Sequence, residues 1–262
     1  MLPAALTAVG AGLLTGGLLT PWTRGEVVPI HNHFHKHVSH KKKGPIVRRR
    51  GSKVRTTARP LADRVAAGIL EGIASRLWGF KPNLMVPIIE QKGPASGLTW
   101  FLRNMPRYED TRKTFGAIRT HVLATMISVL NGCRYCTFGQ AYALELCYFE
   151  RHGVLFPMGE NQITALSRLD SGMAVAQFTQ ALIDADLAEE AEVMKRMLAI
   201  RDGQLAATTD EDRRLKHLSD MFSVLNACGV RGSVEPDQAH DPINRKPDVI
   251  ERYRSARRMA GL

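Results

Sequence analysis

Two thiols stand in the string Asn131-Gly132-Cys133-Arg134-Tyr135-Cys136 at a C-x-x-C spacing. Asn-Gly is expected to stop a helix over 120–130, because both residues tolerate the left-handed conformation. Cys133 then falls at the start of the next helix, and Cys136 lies one turn inside it. Thiols so placed can close a small disulfide loop. Unpaired N–H groups and the positive end of the helix dipole favour a thiolate there. That is the physical recipe for a redox-active pair.

The competing reading of C-x-x-C is half of a structural zinc site, or a pair of core thiols. Zinc needs two more ligands at workable spacing. Cys147 lies about three turns further along the same helix, and Cys228 stands alone in Asn226-Ala227-Cys228-Gly229. With no second C-x-x-C, zinc is disfavoured at the pair, and neither a metal nor a cofactor is expected. Phosphate-binding loops, dinucleotide fingerprints, HExxH and GxSxG are all missing. His152, after Glu150 and Arg151, reads as the charged end of a helix. Asp210-Glu211-Asp212 followed by Arg213-Arg214 reads as ordinary first-turn electrostatics.

The stretch Arg119-Thr120-His121-Val122 through Ser128-Val129-Leu130-Asn131-Gly132-Cys133-Arg134-Tyr135-Cys136-Thr137 resembles the AhpD-like alkylhydroperoxidase branch of the carboxymuconolactone decarboxylase family. The likeness is specific over residues 117–146 and looser over the rest to 262. Met221-Phe222-Ser223-Val224-Leu225-Asn226 resembles the closing helix of that family. The resemblance implies an all-α helical bundle, an oligomer, and a thiol peroxidase with a dithiol reductant of the lipoyl type. The family motif is Glu, eleven residues, Cys-x-x-Cys, three residues, His. By resemblance, Cys136 attacks the peroxide and Cys133 resolves it to a disulfide. The dipole argument alone favours Cys133 as the more reactive thiol, so the roles stay open.

Two positions depart from the family. Its Glu position falls on His121, and its His position falls on Gln140. An amide takes up no proton at neutral pH. His121 could act as base, with Gln140 holding it or a water; equally, His121 could be a satisfied histidine in a decayed relay. Tyr135 would supply packing and a hydroxyl at the mouth. Thiol–disulfide exchange needs only the cysteine pair and tolerates these changes better than peroxidase activity does. The alternative is a non-catalytic accessory subunit of a membrane complex, built on a degenerate fold of this kind.

The elements that must hold these residues read as helices. Leu61, Val65, Ile69, Ile73 and Leu77 repeat every four residues between Pro60 and Gly79. Similar periodicity marks 111–130, 137–152, 160–185, 188–202 and 209–227. Thr208 and Glu211 suggest a capping box for the last of these, and Gly229 its stop. No alternating Val/Ile/Thr runs bounded by hairpin turns occur, so residues 60–262 are expected to form one all-α domain. At 262 residues with 44% hydrophobic and 23% charged residues, the chain can bury a core. Its four cysteines are too few for a disulfide framework.

The net charge of +11 is concentrated at one end. Residues 1–59 carry eleven Lys/Arg and one acid, Glu26, which leaves 25 basic and 24 acidic groups for the remainder. Leu2 to Thr23 holds no charge and would span about 33 Å as a helix. It is expected to be a membrane anchor or an apolar packing helix, with Gly12-x-x-x-Gly16 suited to close helix contact. The basic flank places the main domain on the cytoplasmic side. Residues 24–59, with His31, His33, His35, His37 and His40 and then a Lys/Arg run, form an extended arm for anionic lipid or a membrane complex. Nucleic acid is not the expected partner, since interleaved aromatics are missing.

Overall fold

A computed structural model of the chain describes residues 60–262. The apolar segment 1–23, the arm 24–59 and the membrane attachment expected of them lie outside the described residues. Among those described there is no strand, and the all-α reading holds. No helix among them is long and apolar enough to cross a membrane.

Helix α1 (Leu61–Trp78) starts after Pro60 and ends at Gly79, whose φ of 86° is left-handed and whose N–H returns to Ser75 O. The four-residue repeat marks this helix but not its buried face. Leu61, Val65 and Ile69 are exposed, while Ala66, Ala67, Leu70, Ala74 and Trp78 face inward. A strict four-residue step drifts around a 3.6-residue helix, and the alanines let α1 approach α2 (Met85–Lys92) and α3 (Pro94–Phe115) closely.

The helix expected over 111–130 is two. Gly116, at φ 82°, separates α3 from α4 (Ala117–Leu130). Helix α4 is predominantly apolar and buried on nearly all sides, its polar Thr120, His121, Thr125 and Ser128 included, which is the pattern of a central helix. It packs against α5 (Arg134–His152), α7 (Ser171–Asp184), α8 (Ala188–Arg201), α9 (Asp210–Arg231) and α3.

The helix expected over 160–185 is also broken, into α6 (Glu160–Ala165), a 3-10 turn at Leu166–Arg168, and α7, which Asp170 caps through Gly172 N at 2.8 Å. For α9 the capping box is formed one residue later than expected. Thr209 Oγ1 accepts from Asp212 N, and Asp212 Oδ2 accepts from Thr209 N, both at 3.1 Å. The helix runs through Gly229 and stops at Gly232. A second 3-10 turn (Pro242–Arg245) and α10 (Pro247–Met259) complete the domain. Periodicity did not signal α2, the first part of α3, or α10.

Candidate functional site

The cysteine turn is built by the end of α4. Gly132, at φ 67°, takes the left-handed position, while Asn131 stays right-handed, so only one of the two expected residues is used this way. Gly132 N–H donates to Val129 O at 3.0 Å and Cys133 N–H to Ser128 O at 3.1 Å. These two bonds close α4, and the same Cys133 is the N-cap of α5, where its sulfur accepts from Cys136 N–H at 3.3 Å.

The expected placement of both thiols therefore holds, and their sulfurs lie 2.7 Å apart. Both are free and buried. The Cys133 thiol is drawn below its ordinary range. The hydrogen bond from Cys136 is the largest cause, burial opposes it, and the N–H groups of Cys136 and Tyr135 add to it. Cys136 is pushed well up by burial, then by its bond to Cys133 and the charge there. The two shifts run in opposite directions, so the pair is polarised, with Cys133 the thiol that ionises more readily and Cys136 the one that holds its proton more firmly.

Both sulfurs lie near Gly229 of α9, Cys133 the closer, and Cys136 alone of the two also lines a cavity. Cys133 lies against α9 at Gly229, where a β-carbon would come within 2.6 Å of its sulfur. Cys136 lines a narrow cavity with Tyr135, Gln140, His240, Trp78 and the flexible side chains Met85, Met105 and Met221. About 20 Å³ of it is open to the centre of a water-sized sphere, which suits roughly one water. A Gly229→Ala variant is expected to push the Cys133 sulfur off its partner. Disulfide formation, followed by loss of titratable thiol, should slow at least tenfold; an unchanged rate would show that Gly229 does not set the pair.

The two departures from the family motif touch each other. His121 Nδ1 lies 2.7 Å from Gln140 Oε1, and His121 Nε2 lies 3.0 Å from Asp241 Oδ2. Gln140 Nε2 then reaches His240 Nδ1 at 3.4 Å. Arg112 stands 3.5 Å from Asp241. Burial works against ionising Asp241, but the bond and charge of His121, the N–H of Ile243 and the charge of Arg112 hold it below the usual carboxylate range.

Sequence reasoning missed His240, Asp237 and Asp241. The His240 ring is packed among Trp78, Phe80 and Tyr135 at centroid distances of 5.8, 6.2 and 4.8 Å. The backbone N–H of His240 donates to Gly139 O at 3.0 Å. Asp237 approaches His240 Nε2 to 3.4 Å and accepts from the Tyr135 hydroxyl at 3.0 Å. The 3.4 Å approach is poorly aligned, so Nε2 has an ion-pair neighbour but no hydrogen bond. Tyr135 thus supplies the expected packing, with its hydroxyl spent on a carboxylate. The available signal was the string Asp237-Gln238-Ala239-His240-Asp241 between Pro236 and Pro242, a histidine flanked by acids in a stretch that cannot be helical.

Of the remaining candidates, Cys228 adjoins the pair, close enough for the charge at Cys133 to bear on its thiol, and the others stay apart from this centre. His152 ends α5 and stacks on Tyr148 at 4.4 Å. Cys228 carbonyl accepts from Gln91 at 2.9 Å. Asp210 and Asp212 pair with Arg213 and Arg196, as helix electrostatics requires. No protein-family model, curated protein or solved structure matches this chain.

Proposed function

We propose that the chain is an AhpD-like thiol–disulfide protein that reduces a hydroperoxide and is attached to a membrane or membrane complex through residues 1–59. The observation that carries this reading is the polarised sulfur pair, with Cys136 open to a cavity it shares with His240 and Gln140.

Cys133 is the acidic thiol and Cys136 the one on the cavity, so the two arguments about roles are reconciled by proton transfer across the 2.7 Å contact. Moving the Cys136 proton to Cys133 leaves a thiolate facing the substrate. That thiolate attacks the outer peroxide oxygen, forming a sulfenic acid and breaking the O–O bond. The departing alkoxide takes a proton, for which the His240 imidazole on the cavity wall is the donor in this scheme. Cys133 then displaces water from the sulfenic acid and closes the disulfide. An external dithiol of the lipoyl type restores both thiols by exchange. Gln140 relays no proton of its own but holds His121 and His240 in register.

A cavity this narrow favours hydrogen peroxide over bulky organic hydroperoxides. With reduced lipoamide and the full chain, peroxide consumption is expected to vanish in Cys136→Ser and to fall at least tenfold in His240→Asn. No turnover in the folded, reduced, unsubstituted protein would remove the peroxidase reading.

A second reading, an accessory subunit of a membrane complex, is favoured by the apolar stripe Leu61, Val65 and Ile69, exposed on the helix that follows the arm. Removal of residues 1–59 separates the two. An enzyme keeps its turnover, whereas a subunit loses its assembly, read by co-purification with solubilised membranes.

A further inference from the structure

On the far side of Gln140 from His240, three side chains from separate parts of the fold converge: His121 from α4, Cys147 from α5 and Asp241 at the head of the second 3-10 turn. Each is buried, and one ligating atom from each lies within 4.8 Å of the others. We propose that His121 Nε2, Cys147 Sγ and Asp241 Oδ2 bind one divalent transition-metal cation of the zinc class, at a site separate from the cysteine pair.

Nitrogen, thiolate sulfur and carboxylate oxygen are the donors zinc takes, and three protein ligands leave a fourth position for water. Zinc bonds of about 2.0–2.3 Å place ligands about 3.3–3.8 Å apart. Closure around the ion therefore needs a movement on the order of 1 Å, chiefly of the sulfur.

The supporting contacts are those a metal site needs. His121 Nδ1–H donates to Gln140 Oε1 at 2.7 Å, which leaves the Nε2 lone pair for the ion. Asp241 Oδ1 accepts from Ile243 N–H at 2.8 Å, which fixes the carboxylate with Oδ2 turned toward His121. The sulfur of Cys147 has no hydrogen-bond partner among the described residues. A nucleophilic Cys–His–Asp triad is the competing assignment and fails on geometry. Both His121 nitrogens already face oxygen acceptors, so neither faces the thiol as a base.

Charge is balanced as well. A divalent cation held by a neutral imidazole, a thiolate and a carboxylate leaves the buried ligand set with no net charge, beside Arg112 at 3.5 Å from Asp241. The sequence reading sees no such ligand set because the three residues lie on different elements and meet only in the fold.

The probe is cobalt(II), added to the reduced full chain after chelation. Thiolate ligation produces a sulfur-to-cobalt charge-transfer band in the near ultraviolet. Residues 1–59 contain no cysteine, so a site made of the arm's histidines alone produces no such band. One cobalt per chain is expected to give the band, zinc to abolish it, Cys133→Ser to retain it, Cys147→Ser to lose it, and Asp241→Asn to weaken binding at least tenfold. A variant carrying Cys133→Ser, Cys136→Ser and Cys228→Ser retains Cys147 as its one thiol and decides the matter should Cys147→Ser fail to fold. No band in that variant or in the unsubstituted protein, or a band that survives Cys147→Ser, overturns the proposal.

Discussion

Gly139→Ala is expected to lower stability by about 3 kcal/mol, on the order of 10 °C in Tm, and to abolish turnover at the cysteine pair. A β-carbon at residue 139 would lie 2.4 Å from both Cε1 and Nε2 of His240 and 2.6 Å from Cδ2. The ring lies over that glycine, and Trp78, Phe80 and Tyr135 bar its retreat. Relief must come from the backbone, where His240 N–H is bonded to Gly139 O. Displacing it also draws Asp241 from His121 and frees Gln140, so one methyl group dismantles the network beside Cys136. The control is Gly68→Ala on α1, where nothing lies within 4 Å of the added carbon. There the helix gains about 0.5–1 kcal/mol from the better helix former. Opposite signs for one and the same substitution, read by thermal melting, are the expected result; equal effects would mean that the His240 ring is not seated where described.

A second large effect concerns pH. Glu145 on α5 is buried, and its carboxyl is pushed up to about 9. Burial is the main cause and the charge of Glu160 the next, while the Tyr253 hydroxyl, which donates to Glu145, and Arg257, 3.7 Å away, oppose them. The folded pKa is thus raised above the ordinary carboxylate value near 4.5. In such a case the folded state holds the proton that the unfolded chain gives up. The stability contribution is full below about pH 4.5 and is lost progressively as pH rises through about 9. Across that window the loss is on the order of a few kcal/mol. Glu145→Gln keeps the shape and cannot ionise. It is expected to flatten the decline between pH 5 and 9 and to be the more stable protein at pH 8, measured by denaturant unfolding. A variant that declines as steeply as the parent would place the titrating group elsewhere.

Glu145 was invisible in the sequence for a reason that applies to much of the site. A glutamate in the middle of an amphipathic helix reads as a solvated residue, and only the arrival of α6 and α10 closes over it. His240 and Asp241 escaped in the same way, because the loop carrying them gives no periodic signal. By contrast, the cysteine turn was legible to the residue, since Gly132, the N-cap and the first turn of α5 are all local and their bonding is set within ten residues. The pairing of His121 with Gln140 was implied only by resemblance, yet the two touch, because α4 and α5 run side by side after the turn. The helix breaks at Gly116 and Asp170 were missed where a stop signal fell inside continuing apolar periodicity.

The account rests on Cys133 and Cys136 acting as one redox pair. The most direct measurement adds one equivalent of hydrogen peroxide to the fully reduced full chain, blocks the remaining thiols and maps the peptides by mass. The prediction is a single intramolecular Cys133–Cys136 disulfide, two thiols lost of the four, and Cys147 and Cys228 still reduced and blocked. Four blocked thiols with peroxide left over, or oxidation that falls first on Cys147 or Cys228, would contradict it.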